Sequence, residues 1–157
     1  MSLERGIDHW GNQSGEPIEI ALAAIETGLQ DLLAMDPVYW RTSQKKDLLV
    51  RLEKLQAQQA ALTLRVLASS GDIAAETGDK DASAWMRADL LVDKGAARSQ
   101  IKLATTVAKR ELVAAGLAAG EVSPVKARVI TKALNEIESN PVATGEDLVL
   151  AEKLLVA

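Results

Sequence analysis

The run Gln44–Ser69, QKKDLLVRLEKLQAQQAALTLRVLAS, contains neither glycine nor proline across 26 residues. At about 1.5 Å per residue it predicts a helix about 40 Å long, which is longer than the average helix. Leu48, Leu52, Leu55, Leu62, Val66 and Leu67 supply its apolar positions. Thr42-Ser43 places a hydroxyl where the first backbone N–H groups need an acceptor. Gly71 suits the far end, because glycine tolerates left-handed geometry. Such a helix is expected to be the spine of a helical domain or one half of a dimer.

Towards the N-terminus, Ile18, Leu22, Ile25, Leu29, Leu32 and Leu33 recur every three or four residues from Pro17 onward. That period gives a helix one apolar face. Asp36-Pro37 ends it, since proline disfavours helical geometry at the preceding residue. Tyr39 and Trp40, beside that proline, are expected to pin the turn between the first two helices. Residues 1–16 hold three glycines and no apolar period, which predicts a flexible leader.

Towards the C-terminus, the polar stretch Asp72–Asp81 reads as a loop. Asp81 can cap a short helix over Ala82–Leu91 that contains Trp85, expected to anchor the core. Asp93 can cap a helix from Lys94 to about Arg110, with Gly95 as a weak spot in its first turn. Leu112–Ala119 is a further short helix that stops at Gly120. Ser123-Pro124 pairs a capping hydroxyl with a proline at the first helical position, where its missing N–H does no harm. Ile130, Ala133, Leu134 and Ile137 form that helix's apolar face, and Asn140-Pro141 closes it. Thr144 and Asp147 open a last helix carrying Leu148, Ala151 and Leu155. It runs to Ala157 without a stop signal, so the expectation is a chain continued in a longer parent protein.

Composition agrees with an all-α class. Of 157 residues, none is Phe or Cys and only four are aromatic, while apolar residues make up 48% and charged residues 25%. Strand-forming aromatic runs are missing and the better helix formers dominate. The expected architecture is a bundle of about six or seven helices with one long central helix, residues 17–157 forming a single domain. Without cysteine there is no disulfide, thiol nucleophile or sulfur-ligated metal. His9 is the only histidine, so neither a histidine-based triad nor a histidine metal site is expected. Asp79 with Asp81, and Glu136 with Glu138, lack further ligands at metal-binding spacing. Gly116 and Gly120 are not followed by the Lys-Ser or Lys-Thr of a phosphate-cradling loop. Four aromatic rings are too few for a platform that stacks single-stranded bases. No catalytic residue, cofactor, metal, membrane span or small-molecule ligand is expected, and the expected location is cytoplasmic.

Charge is unevenly placed. The chain carries −4 overall, yet Arg87–Lys132 holds nine basic residues (Arg87, Lys94, Arg98, Lys102, Lys109, Arg110, Lys126, Arg128, Lys132) against four acidic ones. A local excess of +5 on an acidic chain can attract an anionic partner. On a helix from Lys94, the residues Lys94, Arg98, Lys102, Thr105 and Lys109 share a sector of about 80°. Ala97, Ile101, Ala104 and Ala108 occupy another, expected to face the core. A short helix, a turn at Val92-Asp93 and a second helix with a basic face outline a helix-turn-helix-like pair. A basic stripe is also what an ordinary solvated helix face looks like, and Arg128 and Lys132 either extend the patch or are simply solvated.

Several words in fixed order resemble a known family. Ala82-Ser83-Ala84-Trp85-Met86, Ala97-Arg98, Leu103-Ala104 and Leu117-Ala118-Ala119-Gly120-Glu121-Val122-Ser123-Pro124, followed by Ala127-Arg128, are similar to the actinobacterial domain of unknown function 222, also called the 13E12-repeat family. The resemblance covers roughly residues 18–157. It implies the helical N-terminal region of an HNH endonuclease-like protein and so a DNA-associated role. No catalytic position is carried over, because no His-Asn-His set is present. The expected function is a non-catalytic module contacting double-stranded DNA, with Lys94, Arg98, Lys102 and Lys109 on phosphates and Thr105 as a hydrogen-bonding partner. The alternative is a helical protein–protein interaction or dimerisation module without nucleic-acid binding, the long leucine-rich helix and the last helix supplying the partner surfaces, with a homodimer as one form of it.

Overall fold

The computed structural model describes residues 15–78 and 80–157; residues 1–14 of the expected leader, His9 among them, and Asp79 lie outside these, while Gly15 and Glu16 already belong to the first helix. The described residues form eight α-helices and no strand: α1 (Gly15–Leu33), α2 (Thr42–Ala68), α3 (Gly71–Thr77), α4 (Ser83–Asp89), α5 (Lys94–Val107), α6 (Glu111–Ala119), α7 (Pro124–Glu138) and α8 (Gly145–Val156), with a 3-10 turn at Pro37–Tyr39. The all-α class is as the sequence predicts. The backbone divides into two compact units, one up to Lys45 and one from Lys46 to Ala157.

In the first unit, α1 ends at Leu33 and Asp36 caps the 3-10 turn, its carboxylate accepting from Val38 N at 2.9 Å. Tyr39 does not pin this turn, being 86% exposed. Nor does the Thr42 hydroxyl cap α2. The Gln44 side chain reaches back to Arg41 N at 2.9 Å instead, one arm of a capping box.

The second unit carries the core. Ala97, Val113, Leu117, Val122, Ala127 and Leu134 have no exposed surface, and Met86 has almost none. Each large apolar side chain among them contributes about 1.5–3 kcal/mol on burial. From α2 the core takes Ala57, Ala61, Leu64 and Leu67. This corrects the expected stripe, of which only Leu67 is buried: Leu52, Leu55, Leu62 and Val66 lie on the opposite face and are 37–55% exposed. The α2 backbone comes close to the turn after α6 at one point, where a Cβ on Gly120 would lie 3.0 Å from Lys54 Cβ and 3.2 Å from its Cα, and the buried positions that follow are Ala57 and Ala61, then Leu64 and Leu67.

The expected loop at Asp72–Asp81 contains a helix. The α2 helix stops before Gly71, because the hydroxyls of Ser69 and Ser70 donate back to the carbonyls of Val66 and Leu67 at 3.0 and 2.7 Å, satisfying its last acceptors. The chain then restarts as α3, which buries Ala74 and ends at Gly78 in the left-handed region with φ of 72°. Two other ends form as the sequence predicts. Ser123 Oγ accepts from Lys126 N with Pro124 behind it, and Thr144 with Asp147 closes a full capping box on α8. The hydrogen bonds from Thr144 hold the exposed Asp147 carboxyl below its ordinary value.

The α6 helix has no capping side chain of its own at Arg110. Glu152 of α8 serves instead, one carboxylate oxygen accepting from Leu112 N at 2.9 Å and Val113 N at 3.1 Å. A negative charge on unpaired N–H groups at a helix start is favourable on both hydrogen-bond and dipole grounds. Glu152→Ala is therefore expected to cost about 1–2 kcal/mol, and Glu152→Gln, which keeps an acceptor, clearly less. Urea titrations of the three proteins test this, and equal losses in both variants would mean the cap is not the cause.

At the other end of α6, Gly116 faces Val122: a Cβ there would lie 2.6 Å from Val122 Cγ2 and 3.5 Å from Val156 Cγ1. Gly116→Ala is expected to destabilise by about 1–3 kcal/mol through overpacking, despite alanine's better helix propensity. A midpoint at or above wild type would refute the close contact. Leu91, after α4, has φ of 54° and is 87% exposed. A left-handed leucine costs roughly 1–2 kcal/mol and this one buries nothing in return. Leu91→Gly should raise stability by about 0.5–1 kcal/mol after glycine's own entropy cost, seen as a higher midpoint with an unchanged slope.

Candidate nucleic-acid interface

The α5 helix is fixed at its start by Asp93, whose Oδ1 accepts from Gly95 N at 2.8 Å and Ala96 N at 3.1 Å. Gly95 is less a weak spot than a clearance, since a Cβ there would lie 3.1 Å from that oxygen. The cap also means that the N-terminus of α5 already holds an anion. Ala97, Ala104 and Val107 bury one side of the helix, with Ile101 half-buried beside them. Ala108, expected on that face, is exposed. The opposite side is left to Lys94, Arg98, Lys102 and Thr105, all exposed.

Lys109 is exposed but not on this helix, because α5 ends at Val107 and Lys109 sits in the turn that follows. Its ladder position therefore does not continue the line of the other three cations. The Thr105 hydroxyl donates to Ile101 O at 3.0 Å; in that arrangement it can accept from a ligand but not donate to a phosphate. Arg98 makes no ion pair among the described residues, although Asp81 is close enough to feel it. Hydrogen bonds from the Ser83 hydroxyl and backbone N–H hold the Asp81 carboxyl below its ordinary value, and the charges of Arg98 and Lys80 add to this.

Between α5 and α7 runs a groove of about 390 Å³, lined by Ser99, Lys102, Leu103 and Thr106 on one side and by Arg128, Thr131, Lys132, Asn135, Glu136 and Ser139 on the other. Lys102, Arg128 and Lys132 thus line one groove, and all three are exposed to solvent. Lys94, Arg98 and Thr105 lie on the neighbouring solvent face rather than in the groove. Glu136 is the one carboxylate in the lining; it lies 4.0 Å from Lys132 with both side chains largely exposed, a weak pairing. The hydroxyls of Thr106, Thr131 and Ser139 donate within their own helices. Donor capacity in the groove therefore comes mainly from two ammonium groups, a guanidinium and the Asn135 amide.

The polar lining escaped the sequence reading, though a signal existed. Arg128, Lys132, Asn135 and Ser139 recur every three or four residues beside the buried Ala127–Thr131–Leu134 seam, as Ser99, Lys102 and Thr106 do on α5. Arg110, counted among the nine cations, does not belong to the surface. Its side chain is 7% exposed, and Nη2 donates to Glu138 Oε2 at 2.6 Å, with Nε buried and unpartnered.

Trp85 is half-buried against the core, as expected of an anchor. No group of three or more acidic or histidine side chains among the described residues is placed to hold a metal ion. No described helix is long and apolar enough to cross a membrane. No family model matches the chain, and neither a curated protein nor a solved structure matches it.

Proposed function

We propose that this chain is a non-catalytic helical module that associates with double-stranded DNA through phosphate contacts. The observation that carries the reading is the presence of Lys102, Arg128 and Lys132 around one groove, continued along α5 by the exposed Arg98 and Lys94. Cations on two helices can follow a phosphate backbone where a single stripe would touch it once. The resemblance to the domain of unknown function 222 supports the same reading and places the module, within this proposal, in front of an HNH nuclease region. Phosphate contacts fix position and orientation but carry no base information, so little sequence preference is expected.

The magnitude follows from charge. Non-specific duplex binding typically has a Kd of about 10⁻⁴–10⁻⁶ M at physiological salt, and a chain of net charge −4 belongs at the weak end of that range. The observed binding constant should fall with log slope of about −0.9 per phosphate neutralised, so about four contacts lose on the order of a hundredfold between 50 and 200 mM salt. Fluorescence anisotropy with a labelled duplex at graded salt measures this. Lys102→Ala with Arg128→Ala is expected to weaken binding on every duplex alike and to flatten the slope by about two contacts. No binding at 20 mM salt by a folded protein, or an unchanged slope in the double variant, would refute the assignment.

A further inference from the structure

The groove between α5 and α7 has two unlike ends. Arg110, just after α5, donates to Glu138, the last residue of α7, at 2.6 Å, so the C-terminal ends of the two helices lie together. Among the groove's lining residues, Lys102, Arg128 and Lys132 therefore gather towards one end, and Thr106, Glu136 and Ser139 towards the other. The first group supplies donors alone, two ammonium groups and a guanidinium. The second supplies acceptors. The hydroxyls of Thr106 and Ser139 donate to carbonyls of their own helices at 2.9 and 2.8 Å, which leaves only their lone pairs for a ligand, and Glu136 adds a carboxylate. These residues also lie in or beside the last turns of α5 and α7, where the negative pole of each helix dipole falls.

A phosphate chain running along the groove would meet that change of sign. Glu136 follows Lys132 by one helical turn, about 6 Å along the axis. A phosphate held by Lys132 would thus put the next one beside a carboxylate and two acceptors. In the other direction Arg98 and Lys94 continue from Lys102 at the same step along α5, and both are exposed. The arrangement suits a strand that ends in the groove and leaves it past α5. Charge agrees with this. Three cations and one carboxylate give the lining an excess of two positive charges. A terminal phosphomonoester carries about −1.5 to −2 near pH 7, whereas a phosphodiester within a strand carries a single negative charge.

We propose that the α5–α7 groove is a site for the terminal phosphomonoester of a DNA strand, held by Lys102, Arg128 and Lys132, with Glu136 as the specificity-determining residue that turns away a continuing backbone. The proposal rests on the DNA reading and adds to it a preference for strand ends.

Fluorescence anisotropy at 20 mM salt tests it on hairpin duplexes of one sequence. The open end carries a 5′-phosphate, a 3′-phosphate or hydroxyls only, and a dumbbell closed at both ends has no terminus. At least one phosphorylated hairpin should bind about tenfold more tightly than the hydroxyl form, and which one does so identifies the strand end; the dumbbell should match the hydroxyl form. Glu136→Gln should tighten binding to the dumbbell and cut the preference to about threefold or less, because a repulsive contact is lost. Glu136 is exposed, and circular dichroism should report unchanged helix content. Equal binding of all the duplexes by the wild type overturns the end preference and leaves the DNA reading standing, and a preference that survives intact in Glu136→Gln overturns the role given to that carboxylate. Absence of binding to any of them refutes the DNA reading itself, and this proposal with it.

Discussion

The Val122 side chain occupies the space that a Cβ on Gly116 would need, and the second unit is organised around that exclusion. Val122 lies in a short connection yet has no exposed surface, so the link between α6 and α7 is itself part of the core. Gly120 turns the chain with φ of 74°, and the N–H groups of Glu121 and Val122 both donate to Gly116 O at 2.9 and 3.1 Å. Ser123 then caps α7 at once. Glycine at 116 lets the connection sink inward, glycine at 120 allows its reversal, and serine restarts the helix without a lost hydrogen bond. The direction of α7 is settled within these few residues, and with it the side of the unit on which Arg128 and Lys132 emerge.

Local signals of this kind were legible in the sequence. Ser123-Pro124, Thr144 with Asp147, Asp93 and the stop at Gly120 each depend on a residue acting on backbone groups a few positions away, so no tertiary knowledge was needed. What could not be read were relations between distant segments. Glu152 caps a helix that begins about forty residues earlier, and a lone glutamate on a late helix gives no hint of that. The restart at α3 depended on two serine hydroxyls folding back on α2, a choice that a polar stretch ending in glycine does not reveal.

The α2 helix shows a different limit. Hydrophobicity ranks leucine above alanine, so a periodicity argument assigns the leucine stripe to the core. Packing distance reverses that ranking where backbones approach closely, because a small side chain is then the only one that fits. The core took Ala57 and Ala61 together with Leu64 and Leu67, and left Leu52, Leu55, Leu62 and Val66 outside. The candidate groove was half legible for a related reason. The cations of α5 are evident as a stripe, but their meeting with α7 depends on which face of each helix is buried, and α5 itself ended two residues short of Lys109.

The α2 helix buries Ala57, Ala61, Leu64 and Leu67 and leaves Leu52, Leu55, Leu62 and Val66 exposed on its other face, an arrangement that the core of its own unit does not account for. Exposed leucines add nothing to monomer stability, and monomeric proteins rarely present apolar patches beyond a few hundred Å². The same economy applies to charge. The cations of α2 find no ion pair among the described residues, and every charged side chain on α1 is acidic. Had solubility been the only constraint, mixed signs on each helix would have served it better. Segregated signs leave α1 only carboxylates to offer and α2 mostly cations, whereas on α5 and α7 the cations gather around one groove with Glu136 as its single carboxylate.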